Sequence, residues 1–136
     1  MANAATWTSP PSLPLPREGQ IDDRLLQAAS ERTAWSARID QLLRLRNLPD
    51  DWDGLGAETP RGELVDAAIK YLCDQRRWEQ ATPPDHVIAT TSRTVVLEWH
   101  VPGGYLELEF VSPTCAEATS LPPGATKADV YAVSLH

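Results

Sequence analysis

The stretch TVVLEWHVPGGYLELEFV, residues 94–111, decides the fold, because it predicts a β-hairpin. Apolar and polar residues alternate on both sides of a proline–glycine turn, and glycine permits the positive φ angles of a tight turn. With Gly103-Gly104 at the turn centre, three apolar pairs share one face: Val101 with Leu106, Trp99 with Leu108, and Leu97 with Phe110. A turn centred on Pro102-Gly103 would shift the register by two residues and leave the faces unchanged.

The other face of this hairpin is polar and acidic. In the first register its pairs are His100 with Glu107, Glu98 with Glu109, and Val96 with Val111. Three interpretations are open for this face: a solvated surface, a contact with a partner, or a metal or acid–base site. Acid–base chemistry requires one carboxyl group in an apolar pocket, whereas these side chains fall on the exposed positions of the alternation. Glu98, His100, Glu107 and Glu109 are therefore candidates for partner binding.

Two helices are predicted before the hairpin. Residues 21–46 carry an apolar seam whose spacing alternates between four and three residues. Its members are Ile21, Leu25, Ala28, Arg32, Trp35, Ile39, Leu42 and Arg46. Residues 60–79 form the second helix, with Thr59 as N-cap and Pro60 at its first position. Its predicted buried stripe consists of Leu64, Val65, Ala68, Ile69, Leu72 and Cys73.

Two further segments complete the predicted architecture. Residues 86–92 and 128–136 have the composition of short strands, and residues 112–127 read as a loop. The sequence predicts an α+β fold with two helices packed on one face of a three- or four-stranded antiparallel sheet. Residues 20–136 would form a single α+β domain. Residues 1–19 are rich in proline and predict a flexible, disordered tail, either unattached or a docking segment.

The segment LPDDWDGLGAETP, residues 48–60, joins the two helices and carries four acids, two glycines and a tryptophan. An EF-hand calcium loop is excluded, because Pro49 and Pro60 would occupy its first and twelfth ligand positions. A phosphate loop is excluded, since the Lys-Ser/Thr pair is missing. We interpret the segment as a connector in which Gly54 and Gly56 supply unusual φ angles, Trp52 anchors the loop to the core and Asp53 ties the turn. Its outer carboxylates are further candidates for partner binding: Asp50, Asp51 and Glu58.

The charge balance bears on the class of partner. The 136 residues contain 12 Lys and Arg against 19 Asp and Glu, a net charge of −7. An acidic chain repels phosphate backbones and anionic membranes, so direct nucleic-acid binding and membrane docking are disfavoured. A partner protein with a basic surface is the favoured complement. No secretory signal and no apolar run of about 20 residues is present, which predicts a cytoplasmic protein.

Catalytic and metal-binding patterns are missing from the sequence. There is no GxSxG nucleophile elbow, and the two cysteines and three histidines lack zinc-ligand spacing. Cys115 with His100 has no local signature of a catalytic pair. The sequence thus predicts no catalytic residue, no metal site and no cofactor.

The segment from Leu48 to about Val111 resembles a group of small uncharacterised bacterial proteins. The likeness comprises DDWDGLGAETP, a following helix, a proline pair, and then VLEW and LELEF. In those relatives the loop reads Trp-Asp-Gly-aromatic-Gly-Ala, and Leu55 takes the aromatic position here. The resemblance implies a bacterial protein, covers about half the chain and brings no established activity.

Three functional hypotheses follow from the sequence. The first is a small acidic protein-binding module, such as an antitoxin, an inhibitor or an accessory subunit in a toxin–antitoxin or phage-defence setting. The second is a ligand-binding or enzymatic domain centred on the Trp52–Glu58 loop. The third is a homo-oligomer joined through the helix of residues 21–46.

Overall fold

The computed structural model describes residues 23–78 and 80–135. In this part of the chain, two helices precede five strands in the order α1 Asp23–Arg46, α2 Gly62–Gln75, β1 His86–Ala89, β2 Val95–Val101, β3 Gly104–Ser112, β4 Cys115–Leu121 and β5 Asp129–Ser134. The strands form one antiparallel sheet in sequence order. The predicted α+β class is confirmed, whereas the count of three or four strands was one too low. The predicted tail of residues 1–19 lies outside the described residues.

The hairpin forms in the second of the two predicted registers. Val101 pairs with Gly104, so the turn is centred on Pro102-Gly103, and the register with Gly103-Gly104 at the centre was wrong. Gly103 has the positive φ of 80° that the turn requires. Gly104 is required for space and not for a positive φ angle. A Cβ atom there would lie 2.4 Å from the carbonyl oxygen of Leu121 on β4. The two faces of the hairpin are those that the sequence predicted.

The strand that the sequence did not reveal is β4, which falls in the predicted loop of residues 112–127. Its sequence, CAEATSL, contains alanine and serine, residues with little strand preference. Ala116 and Ala118 are nevertheless completely buried between β3 and β5. Tertiary packing therefore determines the conformation of this segment, and local preference does not.

The core lies between the helices and one face of the sheet, which we call the inner face. On the sheet side its largest residues are Val95, Leu97, Leu108 and Phe110. From the helices come Trp35, Leu42, Leu64, Val65, Ala68 and Leu72. Burial of a large aliphatic or aromatic side chain contributes about 1.5–3 kcal/mol, so this cluster is the main source of stability.

Only the C-terminal half of α1 belongs to this core. Trp35 and Leu42 are buried, whereas Leu25 and Leu26 are 54% and 50% exposed. Arg38 secures this half to the sheet side, because its Nε donates to the carbonyl oxygen of Pro84 at 2.9 Å. The predicted apolar seam is therefore buried over its second half only, and residues 23–33 are exposed.

The second helix begins later than its sequence indicated. Arg61 is the residue before α2 and makes no side-chain cap, so the prediction of Thr59 as N-cap was wrong. The Thr59 hydroxyl donates instead to the carbonyl oxygen of Leu48 at 2.7 Å, across the interhelical loop. The Thr59 hydroxyl is thus engaged within the loop and does not cap the helix, which begins at Gly62.

Neither α1 nor α2, the helices that the structure describes, combines the length and the apolar character that a membrane crossing would need.

Candidate functional site

The sheet face turned away from both helices, which we call the outer face, collects most of the candidate residues. Successive side chains of a strand point to opposite faces, so the polar half of each alternation lies here. The outer-face cluster comprises His86 on β1, Glu98 and His100 on β2, Tyr105, Glu107 and Glu109 on β3, and Glu117 on β4. Four glutamates thus occupy adjacent positions on three neighbouring strands.

The glutamates face one another in two direct cross-strand pairs. Glu98 lies opposite Glu107, and Glu109 lies opposite Glu117. Burial raises the pKa of the Glu107 carboxyl group, and the nearby carboxylates of Glu98, Glu109 and Glu117 raise it further. Like charges in directly opposite positions are destabilising. The outer face therefore holds negative charge at an energetic cost to the folded chain.

The histidines border this acidic cluster at one end. His100 Nε2 lies 3.5 Å from Glu98 Oε1. The His100 ring stacks on Tyr105 with centroids 6.3 Å apart, and it meets the His86 ring edge to face at 5.6 Å. The backbone N–H of His100 donates to Asp85 Oδ2 at 2.6 Å, which fixes the strand at this point.

One glutamate of the cluster is held by a neutral donor. The buried hydroxyl of Thr94 donates to Glu109 Oε2 at 2.6 Å and also lies 2.6 Å from the hydroxyl of Thr90. Val96, between Ile88 and Glu109 on adjacent strands, is the buried apolar residue of this face. The surface around the glutamates is thus well ordered.

Basic side chains do not neutralise the cluster. None of the five strands contains a lysine or an arginine. Within residues 23–78 and 80–135, the only ion pair that reaches the four glutamates joins His100 to Glu98. In the described part of the chain, the four glutamates of the outer face therefore have no lysine or arginine as an ion-pair partner.

The three aspartates of residues 48–60 have their carboxylates turned onto the loop's own backbone. Asp53 Oδ1 accepts the N–H groups of Leu55 and Ala57 at 2.9 and 3.0 Å. Asp50 Oδ1 accepts the N–H of Thr59 at 3.0 Å and shares the Thr59 hydroxyl proton, also at 3.0 Å, with the carbonyl oxygen of Leu48. These hydrogen bonds hold the pKa values of both carboxyl groups below the ordinary value of aspartate. Their oxygen atoms serve the turn.

Asp51 completes this inward arrangement. Its Oδ1 accepts the N–H of Gly56 at 2.7 Å, and its backbone has a positive φ of 64°. Gly54 and Gly56 have φ angles of 74° and 89°, which glycine adopts without steric cost. Three aspartates and two glycines therefore build one compact turn.

Trp52 does not join the core cluster, contrary to the expectation that it anchors the loop there. It is half-buried, and its indole N–H donates to the carbonyl oxygen of Glu58 at 3.0 Å. This hydrogen bond joins two residues of the same loop, so Trp52 closes the loop upon itself. Glu58 points outward and lies 3.4 Å from Arg93.

The candidate residues therefore form two separate groups. No hydrogen bond or ion pair of the described residues links a loop carboxylate to the outer face. Across the same part of the chain, no group of three His, Cys, Asp or Glu side chains has an arrangement that could hold a metal ion. The outer-face cluster is the larger of the two groups. Its four glutamates have no lysine or arginine partner among the described residues.

Three members of the outer-face cluster were missed from the sequence: His86, Tyr105 and Glu117. Glu117 lies on the strand that was read as a loop, and Tyr105 pairs with His100 only in the second hairpin register. The alternation of buried Ala116 and Ala118 with Glu117 and Thr119 was the signal in β4 that could have revealed it.

Comparison with protein-family models, with curated proteins and with solved structures finds no match to this chain. The resemblance of the Trp-Asp-Gly-x-Gly-Ala loop to small bacterial proteins stays a prediction.

Proposed function

We propose that this chain is a protein-binding module whose outer face binds a basic surface of another protein. The observation that carries the proposal is the set of four glutamates on strands that contain no lysine or arginine. Antitoxins, inhibitors and accessory subunits are the classes of small acidic protein that this interaction fits. A bacterial origin and a cytoplasmic location belong to the same proposal.

The energetics of the outer face support a cationic partner. Glu107 experiences burial and three neighbouring carboxylates, and each effect disfavours its charge in the free chain. Lysine or arginine side chains of a partner would offset that repulsion and form charge-assisted hydrogen bonds. Complementary charge also accelerates association and makes it sensitive to salt. Binding would therefore weaken as ionic strength rises.

The test is affinity capture from the source cell with a charge-neutralised variant. The bait carries Glu98→Gln, Glu107→Gln, Glu109→Gln and Glu117→Gln, which remove four charges and keep the side-chain shapes. The control bait carries four equivalent changes on the helices: Asp23→Asn, Glu31→Gln, Asp40→Asn and Asp74→Asn. Both baits have the same net charge, so a general charge effect would appear in both.

The expected result is a stoichiometric partner that the wild-type and control baits retain and the outer-face variant loses. The partner should elute at moderate salt and carry a basic surface. Native mass spectrometry of the captured species gives the stoichiometry. Equal retention by both variants, or recovery of the wild-type chain without a partner, would overturn the proposal.

A ligand or active site at the Trp52–Glu58 loop has less support. The carboxylates of Asp50, Asp51 and Asp53 already accept backbone N–H groups of the loop. A ligand that used these oxygens would have to displace hydrogen bonds that define the turn. The outward carboxylate of Glu58 remains, with Arg93 beside it.

A second candidate function concerns the N-terminal half of α1, where Leu25 and Leu26 are about half exposed. These two neighbouring exposed leucines support the hypothesis of a homo-oligomer, or of a helical partner, at this half of the helix. Leu25→Glu with Leu26→Glu tests this contact without removing the buried Trp35 and Leu42. Loss of self-association in sedimentation would support the contact, and an unchanged oligomer would exclude it.

A further inference from the structure

The last strand, β5 (Asp129–Ser134), is an edge strand with β4 as its neighbour. Leu135 N–H donates to the carbonyl oxygen of Thr114 at 2.9 Å, in the register that pairs β5 with β4. Hydrogen bonding alternates along an antiparallel strand, so the odd-numbered residues bond to β4. The backbone N–H and C=O groups of Val130, Ala132 and Ser134 therefore point to the free edge, and all three residues are exposed.

This edge lacks most of the features that normally prevent pairing. Natural edge strands are shortened, carry charged residues or proline, or contain a bulge. β5 has six residues, an uninterrupted register with β4, no lysine or proline, and one charged residue, Asp129, at its first position. The opposite edge, β1, has four residues, and α1 packs beside it. Among residues 23–78 and 80–135, nothing pairs with the free side of β5, which is thus the unprotected edge of the described sheet.

We propose that β5 pairs antiparallel with β5 of a second copy of this chain, which joins the two sheets across a two-fold axis. The outward-pointing groups restrict the register, because Val130, Ala132 and Ser134 must face one another, and only a register centred on Ala132 engages all three residues of both strands. With the axis at Ala132, Val130 pairs with Ser134 of the second copy, and Ala132 pairs with its equivalent. All three outward residues of each strand then form the two hydrogen bonds of an antiparallel pair.

The side chains in this register are self-complementary. On the inner face, Tyr131 of one copy lies opposite Val133 of the other, an aromatic and β-branched pair of the kind that stabilises sheets. Val133 lines a groove of about 360 Å³ with Tyr71, Trp78 and Leu135. Tyr131 and Trp78 are 49% and 68% exposed in the single chain. The second copy's Tyr131 would cover the groove at Val133.

Charge also favours the second copy as occupant. Asp129 would lie opposite Leu135 of the other copy, and Lys70 lines the same groove as Leu135. Neither Asp129 nor Lys70 has an ion-pair partner in residues 23–78 and 80–135. Lys70, which shares this groove with Asp74, is thus the cation that the proposed register brings towards Asp129 of the second copy.

The acidic outer faces do not oppose this pairing. In the proposed register, Glu117 and its equivalent are separated by three strand spacings, about 14 Å. The Debye length at physiological ionic strength is about 8 Å, so their repulsion is largely screened. Ala132 and Ser134 on the outer side of β5 are small, and the four glutamates of each copy stay accessible. The inference is therefore independent of the proposed function.

Sedimentation velocity over a concentration series tests the proposal with Ala132→Pro and Ala132→Ser. Proline removes an outward N–H and leaves the hydrogen bonds to β4 intact. Serine keeps the N–H and is the matched control. We expect a concentration-dependent dimer in the wild type and in Ala132→Ser, and a weakening of about tenfold or more in Ala132→Pro. A wild-type chain that stays monomeric at all concentrations would overturn the proposal.

Two further measurements keep the test decisive if Ala132→Pro fails to fold. Hydrogen exchange of the wild type should show amide protection at Val130, Ala132 and Ser134 that increases with concentration. Lys70→Glu and Asp129→Lys should each weaken the dimer, and their combination should restore it. Rapid exchange at Ala132 under conditions of dimerisation, or no rescue by the double exchange, would contradict this interface.

Discussion

Glu98 on β2 lies directly opposite Glu107 on β3, and the outer face supplies no lysine or arginine to either carboxylate. Such an arrangement lowers the stability of the free chain, because two charges of the same sign share a partly buried surface. A residue that costs stability and lies on an ordered surface is typical of a binding site. The Glu98–Glu107 pair therefore leads to a prediction about stability and supports the proposal that the outer face binds a partner.

Glu107→Gln should stabilise the protein at neutral pH. The folded-state pKa of Glu107 is raised, so the folded chain binds the proton more tightly than the unfolded chain does. Ionisation thus destabilises the fold as pH rises above the ordinary value of 4.5. We expect a gain of about 0.5 kcal/mol at pH 7, in the range of cross-strand charge pairs, and no gain at a pH well below that value.

Urea denaturation at several pH values measures this effect. Glu63→Gln is the control, because Glu63 pairs with Arg61 on the exposed start of α2. Its removal should leave stability unchanged or slightly lower at neutral pH. A loss of stability in Glu107→Gln at pH 7 would show that Glu107 has a stabilising contact in solution.

Asp53→Ala should lower the thermal stability at neutral pH, because Leu55 and Ala57 would lose the acceptor of their N–H groups. Asp53→Asn keeps an oxygen at the same position and should fall between the wild type and Asp53→Ala. The melting temperatures of the three proteins at about pH 7 check this order. A ligand site at this loop predicts a different result: unchanged stability in Asp53→Ala with loss of ligand binding.

The pH dependence of the same variants supports the assignment. The folded-state pKa values of Asp50 and Asp53 are lowered by hydrogen bonds from the loop, first from Thr59 and from Leu55 respectively. Their stabilisation is present above the ordinary value of 3.8 and is lost as pH falls through the lowered values. The melting temperature of Asp53→Asn should thus decrease less upon acidification than that of the wild type. Parallel decreases would contradict the role of Asp53.

The sequence predicted those features that depend on strong periodicity. The alternation in residues 94–111 gave both faces of the hairpin, and the stripe at Leu64, Ala68 and Leu72 gave the buried side of α2. It could not distinguish the two hairpin registers, because both place the same residues on each face. The structure distinguishes them by the backbone: Gly103 has a positive φ of 80° in the turn, and Gly104 pairs with Val101 as the first residue of β3.

The candidate site was predicted in part for the same reason. Glu98, Glu107 and Glu109 belong to the strongly alternating hairpin, so their common face was evident. Glu117 completes the cluster from β4, where buried alanines replace the larger residues that indicate a strand. The turn of residues 48–60 depends on side-chain to backbone hydrogen bonds, and composition alone does not determine the direction of each carboxylate.

Two leucine substitutions on α1 should differ sharply in their effect. Leu42 is completely buried and Leu25 is 54% exposed. Leu42→Ala leaves a cavity in the core and should cost about 3 kcal/mol. Leu25→Ala should change the free energy of unfolding by less than about 0.5 kcal/mol. Equal losses, measured by urea denaturation at low protein concentration, would mean that the first half of α1 packs against the domain in solution.

Two glycine substitutions provide the last prediction, because the two sites differ in the space available for a Cβ atom. At Gly104 that atom would lie 2.4 Å from the carbonyl oxygen of Leu121 and 3.0 Å from the nitrogen of Pro123. Gly104→Ala must therefore separate β3 from β4, at a cost of about 2 kcal/mol. Gly62, at the start of α2, has no atom within 4 Å of the same position, so Gly62→Ala should stabilise the chain by about 0.5 kcal/mol. Urea denaturation measures both variants, and a neutral Gly104→Ala would contradict the close approach of β3 and β4 at this position.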